Sequence, residues 1–288
     1  MKRLFQLQAV LLFATFFAIG CKKDKTSKDD PFDPSLSISI TNQAYANGAR
    51  ATLDLYLPAN RGNDTRLLLM LHGGGWTSGD KADMTAVVQL IQGADPTLAI
   101  ANINYTLVDG TAATRHPAQL TDLANALQYI RQNESTWHIG DHINIMGVSA
   151  GAHLALLYTL STPNSNISSI IDVVGPTNFA DPYYTNNALF QALATSYLGA
   201  TWVQNAALHQ AASPVNYVSA TSPPTFMAYA GLDQLVPPTN GTALRDAYQQ
   251  AGATYEYYTY PNEPHEISNT AILDILAKAV PFLQTYGR

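Results

Sequence analysis

The chain has very little cysteine and little charge. It contains one cysteine, Cys21, in 288 residues, and only 12% of its residues are charged. A single cysteine cannot form an intramolecular disulfide, and no C-x-x-C pair is present to hold zinc. The apolar fraction of 47% suffices for a packed core, which excludes disorder for the bulk of the chain. The fold therefore needs neither disulfides nor zinc, and the cysteine needs another explanation.

Positive charge is also scarce, and much of it lies near the N-terminus. Residues 1–33 hold six Lys or Arg and four Asp or Glu, whereas residues 34–288 hold nine Lys or Arg and seventeen Asp or Glu. A surface with this excess of negative charge repels a phosphate backbone. The composition therefore argues against nucleic acid as a partner.

The N-terminal segment has the pattern of a secretion signal. Lys2 and Arg3 form a short positive region, and residues 9–19 (AVLLFATFFAI) form an apolar run too short to cross a bilayer as a helix. We therefore predict that residues 1–20 are a signal peptide.

The end of this segment accounts for the cysteine. Residues 18–21 (AIGC) resemble the lipobox of bacterial lipoproteins, in which a small residue precedes a cysteine that is diacylated, although Ala18 stands where that motif usually has Leu. The resemblance implies fatty acylation of Cys21 and a membrane as partner, because two or more acyl chains give stable anchoring. An ordinary signal peptide with an incidental cysteine is the alternative.

The next segment is predicted to be a flexible, lipidated tether over residues 21–34. It is charged, contains proline and has no hydrophobic periodicity. Its Lys and Asp content resembles the export signals of surface lipoproteins, which favours the outer membrane, on its periplasmic or its surface face. Residues 35–288 show no repeat and no second linker, so we predict that they form one domain.

This domain alternates predicted strands and helices. Residues 51–57 alternate apolar and polar side chains, which predicts a half-exposed antiparallel strand near a sheet edge. Helical spacing recurs at residues 120–130 and 272–283. Five further runs are almost continuously apolar, as in strands covered on both faces: residues 67–71, 98–103, 143–148, 170–174 and 226–230. The pattern predicts an α/β fold, with a mainly parallel sheet and helices on both faces.

Residues 181–217 interrupt this alternation. They contain no clear strand and several large aromatic side chains, namely Tyr183, Tyr184, Phe190, Tyr197 and Trp202. Ligands of open α/β sheets bind at the carboxyl ends of the strands. We expect this segment to form a small cap over a site there.

A candidate nucleophile lies directly after one of the buried strands. Residues 147–151 (GVSAG) match G-x-S-x-G and follow the run 143–148, and a helical segment comes next. A nucleophile elbow needs this context, because Ser149 must sit on a strained turn where flanking side chains would clash.

A glycine run follows another buried strand. Residues 72–76 (HGGGW) come directly after the run 67–71. Glycines allow backbone N–H groups to turn toward a substrate oxygen, and the residue after the nucleophile supplies a further donor. We assign Gly74, Gly75 and Ala150 as the donors of an oxyanion hole.

A candidate acid and a candidate base join the candidate nucleophile Ser149. Asp233 follows the predicted strand 226–230, and His265 lies in a loop between the strand-like residues 255–260 and the last helix. The chain order Ser149, Asp233, His265 is the order of an α/β-hydrolase, and differs from those of chymotrypsin and subtilisin.

With these motifs, the chain from about residue 40 onward resembles the esterase/lipase branch of the α/β-hydrolase superfamily. The resemblance is to the HGGGW and GxSAG group, which includes carboxylesterases, acetyl-xylan and feruloyl esterases and hormone-sensitive-lipase relatives. Further supporting segments are residues 78–81, 104–107, 116–122 and 231–237. Thr106 stands where the family usually has Arg, and Ala230 where a His often precedes Gly-x-x-Asp; neither belongs to the triad.

The resemblance implies a serine esterase that works through an acyl-enzyme. His265 would take the proton of Ser149, Asp233 would orient His265, and no metal or organic cofactor is expected. The substrate would be a small-molecule or polysaccharide-linked ester, with acetyl or feruloyl esters of plant polysaccharides as the leading class.

Two alternatives stay open. The same triad serves amidases, aryl formamidases and exopeptidases, in which His265 must protonate a leaving nitrogen. A binding lipoprotein without catalysis is a third hypothesis, but such proteins usually lose a triad member.

The other histidines are predicted to have structural roles. His72 is expected to hold the glycine run by hydrogen bonding, and His153 to pack against the core. The remaining ones lack a motif partner and are expected to be surface or hydrogen-bonded residues: His116, His138, His142 and His209.

Overall fold

A computed structural model of the chain describes residues 30–162 and 165–288, without the side chains of residues 185 and 186. The predicted signal peptide, Cys21 and most of the predicted tether lie outside these residues. Phe32–Arg288 form one compact unit, in which Arg61 donates a hydrogen bond to the carbonyl oxygen of Phe32. Within the described part of the chain, no helix is both long enough and apolar enough to span a bilayer.

The strands of this unit form a single mixed β-sheet, in which some neighbouring strands are parallel and others antiparallel. In chain order they are β1 (Ile38–Ala44), β2 (Thr52–Leu57), β3 (Leu67–Leu71), β4 (Ala99–Ile103), β5 (Ile143–Val148), β6 (Ile167–Val173), β7 (Thr225–Ala230) and β8 (Tyr255–Tyr260). Their order across the sheet is β1-β2-β4-β3-β5-β6-β7-β8. β2 is antiparallel to β1 and β4, and every other neighbouring pair is parallel. The predicted, mainly parallel sheet is confirmed.

Helices cover both faces of the sheet. In chain order they are α1 (Thr85–Ala94), α2 (Ala118–Trp137), α3 (Ala150–Ser161), α4 (Pro182–Asn186), α5 (Ala188–Leu198), α6 (Ala206–Ala211), α7 (Pro238–Ala251) and α8 (Asn269–Tyr286). Apolar residues of α1 and α8 form one core cluster with the sheet, and those of α2, α3 and α7 form the other.

The central strand β3 shows why the apolar runs are continuous. Leu67, Leu69 and Leu71 belong to the cluster on the α2 and α3 side, whereas Leu68 and Met70 belong to the cluster on the α1 and α8 side. Because successive side chains of a strand point to opposite faces, a strand covered on both faces must be apolar throughout.

The antiparallel end of the sheet differs from the sequence prediction. β2 is antiparallel and lies second from the edge, as predicted, but it is largely buried rather than half-exposed. Its Asp54 is buried, and Lys81 Nζ lies 2.7 Å from Asp54 Oδ1. The edge strand β1 was not predicted, because only two isoleucines mark it among polar residues. Helices α1 and α7 were not predicted either.

The carboxyl group of Asp172, in the core, has no counter-ion among its hydrogen-bond partners. Asp172, near the end of β6, is fully buried. Its Oδ2 lies 2.6 Å from Tyr229 Oη, and its Oδ1 accepts a hydrogen bond from Gly175 N at 3.0 Å. Burial raises the pKa of the Asp172 carboxyl to about 7, against the two hydrogen bonds, which lower it. When protonated, the carboxyl donates to Tyr229 Oη, which leaves the tyrosine proton for Gly175 O at 2.9 Å.

This buried carboxyl makes stability depend on pH. The ordinary pKa of the group is 3.8, so between about pH 4 and pH 7 the folded chain binds a proton that the unfolded chain does not. Its contribution, on the order of 4 kcal/mol, is complete at acid pH and is lost as the pH rises through about 7. Asp172→Asn, compared with the parent by urea denaturation across this range, should flatten the fall in unfolding free energy.

The exposed Asp246, which pairs with Arg245 on the surface, supplies the control. Asp246→Asn should keep the parent's profile. A profile of Asp172→Asn that runs parallel to the parent's would show that Asp172 does not titrate in this way.

Candidate active site

The predicted nucleophile sits on a sharp turn between β5 and α3. Ser149 has φ 53° and ψ −119°. A Cβ atom at Gly151 would lie 2.4 Å from the carbonyl oxygens of Leu71 and His72, so the start of α3 packs directly on the backbone that follows β3. A Cβ at Gly147 would lie 2.3 Å from Ala152 N. The two glycines of G-x-S-x-G are therefore required by close backbone contact.

Backbone strain is concentrated around this turn. Trp76, Ser149 and Val174 all have positive φ, at 63°, 53° and 48°, and they follow the adjacent strands β3, β5 and β6. Such conformations cost about 1–3 kcal/mol each in a residue with a side chain and are typical of functional sites. The Ser149 turn is held by a hydrogen bond from its N–H to Val173 O at 2.8 Å.

The three predicted triad residues form one hydrogen-bonded chain. Ser149 Oγ lies 2.9 Å from His265 Nε2. His265 Nδ1 lies 2.7 Å from Asp233 Oδ2. The structure thus brings together three residues that are far apart in the sequence, at the carboxyl ends of β5, β7 and β8.

The loop that carries Asp233 fixes the orientation of this carboxylate. Its Oδ1 accepts hydrogen bonds from Leu235 N at 2.8 Å and Val236 N at 2.7 Å, and its side chain is fully buried. An ionised carboxylate is an acceptor only, so His265 Nδ1 carries the proton in this pair and Nε2 is left to accept the hydroxyl proton of Ser149.

The glycine run forms a tight loop beside Ser149. Gly74 has φ 113°, and a Cβ there would lie 2.2 Å from Ser78 O, so only glycine fits. A Cβ at Gly73 would lie 3.5 Å from Ser149 Cβ, which places the run against the nucleophile. The loop is closed by hydrogen bonds to Gly74 O from the N–H groups of Thr77 and Ser78.

The three predicted oxyanion donors have different surroundings. No described residue accepts a hydrogen bond from the N–H of Gly74, Gly75 or Ala150. Gly74 lines a cavity together with Ser149 and His265. Gly75 instead lies against the side chain of Leu193, because a Cβ added at Gly75 would lie 3.1 Å from Leu193 Cδ2.

A polar network behind the glycine run was not predicted from the sequence. His72 Nδ1 donates to Gly73 O at 2.6 Å, and its Nε2 accepts from Arg50 Nη2 at 3.3 Å. Arg50 also donates to Gly79 O at 2.9 Å and to Tyr105 O at 2.8 Å. Burial lowers the pKa of His72, so the ring is neutral and can accept from Arg50. Arg50 therefore ties together the two ends of the glycine loop, and no motif around it signals this role.

The other histidines are packed or hydrogen-bonded, as predicted for His72 and His153. His153 is fully buried, accepts from Trp76 Nε1 at 3.2 Å and donates through Nε2 to Ala212 O at 2.8 Å. Burial lowers the pKa of His153 to about 3. It thereby connects the residue after the glycine run to the chain that follows α6.

The predicted cap is helical and braces two loops of the site. Leu193 and Tyr197 of α5 contact Gly75 and Trp76; the Tyr197 and Trp76 rings stack at 4.7 Å. Tyr183 Oη and Asn187 Nδ2 both donate to Gln234 O, at 2.6 and 2.8 Å.

The cavity beside Ser149 lies elsewhere. It measures about 510 Å³, and its lining comes from the glycine run, the His265 loop and residues of α1, α8, β5 and β6. We expected residues 181–217 to form a cap over the site, but none of them lines this cavity. Among residues 30–162 and 165–288, no group of three or more His, Cys, Asp or Glu side chains is placed to hold a metal ion.

The fold and these motifs agree with known proteins. The chain is 30% identical over 249 residues to Esterase LipQ of Mycobacterium tuberculosis, and 24% identical over 246 residues to isoprenylcysteine alpha-carbonyl methylesterase ICME of Arabidopsis thaliana. A solved structure, the truncated form of a carbohydrate esterase from gut microbiota, matches with a TM-score of 0.76 at 20% identity, over 90% of this chain and 99% of that chain. The fold is therefore that of the α/β-hydrolases.

The family follows from a match to a protein-family model. Residues 53–248, more than half of the chain, match the BD-FAE family, and the chain belongs to that family. The two curated relatives are longer: the alignments cover 79% and 77% of this chain but 57% of LipQ and 55% of ICME.

The close contact at Gly151 leads to a stability prediction. Gly151→Ala should lower the unfolding free energy by about 3 kcal/mol or more, because the added methyl group meets two backbone carbonyls that belong to the β3 end. The control Gly93→Ala lies inside α1 with no atom within 4 Å of the new Cβ and should raise it by about 0.5–1 kcal/mol. Urea denaturation measures both. An unchanged value for Gly151→Ala would contradict the contact.

Proposed function

We propose that the protein is a serine hydrolase that cleaves carboxylic esters through an acyl-enzyme. The observation that carries this proposal is the chain of hydrogen bonds from Ser149 Oγ to His265 Nε2 and from His265 Nδ1 to Asp233 Oδ2, at 2.9 and 2.7 Å. Membership of the BD-FAE family and the similarity to LipQ, itself an esterase, support it.

The first half of the reaction forms the acyl-enzyme. His265 Nε2 takes the proton of Ser149 as Oγ attacks the ester carbonyl carbon, and the imidazolium that results is stabilised by Asp233. The same proton then passes to the leaving alcohol as the C–O bond breaks. In the second half, water gives a proton to His265 and attacks the acyl carbon. The bond from this carbon to Ser149 Oγ then breaks, His265 returns the proton to Oγ, and the carboxylic acid leaves.

The negative charge that develops on the carbonyl oxygen needs fixed donors. The N–H groups of Gly74, Gly75 and Ala150 are the proposed ones, and they are free of other described acceptors. Each such donor contributes roughly 3 kcal/mol to lowering the barrier. The Arg50 and His72 network helps, because it holds the glycine loop in one conformation before the substrate arrives.

The proposed substrates are acetyl or feruloyl esters of plant polysaccharides. The structural similarity to a carbohydrate esterase from gut microbiota favours this class. The site is consistent with it, since Ser149 and His265 line a cavity and Ser149 is only partly buried.

Substitution of the nucleophile tests the reaction. Ser149→Ala should reduce kcat/KM for p-nitrophenyl acetate by at least about a thousandfold, because no other group can form the acyl-enzyme. Ser219→Ala, on an exposed loop before β7, should keep the parent's rate. Unchanged turnover by pure Ser149→Ala would contradict the mechanism.

The same assay separates esters from amides. Acetyl-xylan, methyl ferulate and a matched pair of p-nitrophenyl acetate and p-nitroacetanilide form the panel. Faster turnover of p-nitroacetanilide than of p-nitrophenyl acetate would contradict the esterase proposal and indicate an amidase that uses the same residues.

We also propose that the protein is exported and anchored to a bacterial membrane, with the outer membrane as its site. The supporting observations are the apolar run at residues 9–19 and the lipobox-like residues 18–21. Residues 1–20 would be removed as a signal peptide, residues 21–34 would be the lipidated tether, and residues 35–288 the catalytic domain.

Metabolic labelling tests the anchor. In a bacterial host that processes lipoproteins, an alkyne analogue of palmitate should label the parent chain and the chain should sediment with membranes. Cys21→Ala should lose the label and most of the membrane fraction, because Cys21 is the only thiol. Equal labelling of both chains would overturn the anchor.

A further inference from the structure

The cavity beside Ser149 has a strongly apolar side. It is formed by residues of the sheet, of α1 and α8, and of the segments just before these two helices. Their side chains are all apolar: Met84, Val87, Met146, Val148, Val173, Ile267, Ile272, Ile275 and Leu276. The volume of about 510 Å³ lies in the range of small-molecule sites and far exceeds the needs of an acetyl group. A sugar ring would leave its hydroxyls without partners against this wall.

Charged groups occur only at the rim, and they are all of one sign. Asp83 and Glu266 line the cavity and are exposed to solvent. No Lys or Arg is among the described residues that line it. A carboxylate on the bound group would therefore meet two negative charges and no positive one.

We propose that this cavity is the specificity pocket of the site: it binds an uncharged, apolar group of several carbon atoms from the ester and disfavours groups that carry a carboxylate. The proposal rests on the proposed esterase function and narrows it, because it makes acetyl esters of small alcohols poorer substrates than esters with a larger apolar group.

Two of the apolar side chains that line the pocket come from facing helices. Val87 on α1 and Ile272 on α8 are half-buried and face the cavity, and the two helices pack against each other below the sheet. A larger side chain at either position would reduce the volume of the cavity and leave the triad residues themselves unchanged.

Three esters test the pocket and show whether it binds the acyl group or the alcohol group of the substrate. Ethyl acetate is the common reference, ethyl hexanoate enlarges the acyl group and hexyl acetate enlarges the alcohol, with acid release followed by titration. The parent chain should prefer one of the two larger esters to ethyl acetate. Val87→Phe should lower kcat/KM for that ester by about tenfold or more and leave ethyl acetate within about twofold, which also shows that the variant is folded.

A matched variant controls for the added ring. Gln89→Phe lies on the same helix, is exposed and does not line the cavity, so it should preserve the parent's preference. An equal loss for all three esters in Val87→Phe, or no preference in the parent, would overturn the pocket. Absence of hydrolysis of every ester by the parent would overturn the proposed function, and this inference with it.

The effect of the negative charge at the cavity rim is tested by comparing kcat/KM for anionic and neutral esters of the same chain length. Monoethyl adipate has the chain length of ethyl hexanoate with a terminal carboxylate, and 6-acetoxyhexanoate corresponds likewise to hexyl acetate. Glu266→Gln should raise the anionic-to-neutral ratio of kcat/KM about two- to fivefold at low salt, and the gain should shrink in high salt. Asp141→Asn, which is exposed and does not line the cavity, should leave it unchanged. An equal anionic-to-neutral ratio of kcat/KM in Glu266→Gln and in the parent would show that the rim charge does not disfavour carboxylate groups.

Discussion

The site depends on the contact between the start of α3 and the end of β3. β3 and β5 are adjacent and parallel, with Leu71 opposite Gly147, and only the missing side chain at Gly151 allows α3 to rest on the carbonyls of Leu71 and His72. This contact sets Ser149 beside the glycine run. The nucleophile and its proposed oxyanion donors thereby lie on two backbone segments in direct contact, so their separation does not depend on flexible side chains.

The loops around this contact are held in place by different sets of interactions. Backbone N–H groups hold the carboxylate of Asp233. Arg50 and His72 hold the glycine run from behind. Helices α4 and α5 brace both loops from the side, through Gln234 and through Gly75. The cap thus supports the site without lining the cavity, which is bounded by residues of α1 and α8. The strained Trp76 is held by stacking on Tyr197 and by a hydrogen bond to His153, and the strained Val174 by a hydrogen bond from its N–H to Ala228 O.

Much of this site was predictable because its residues follow local rules. The elbow and the glycine run each need particular glycines directly after an apolar strand, and the order of Ser149, Asp233 and His265 fixes the topology. Arg50, by contrast, lies before β2 with no motif around it, and its partners come together only in three dimensions. The pocket wall escaped prediction for a similar reason: Val87 and Ile272 belong to helices separated by most of the chain. The buried pair of Asp54 and Lys81 made β2 look half exposed, since a sequence pattern cannot distinguish a paired charge from a solvated one.

The central claim is that Ser149 is the nucleophile, activated by His265. Reaction with a fluorophosphonate followed by peptide mass spectrometry tests it most directly, because the reagent bonds only to an activated serine. The account predicts one phosphonyl group per chain, located on the peptide that contains Ser149, and a much slower reaction in His265→Ala. Labelling at another serine, or an equal rate without His265, would contradict it.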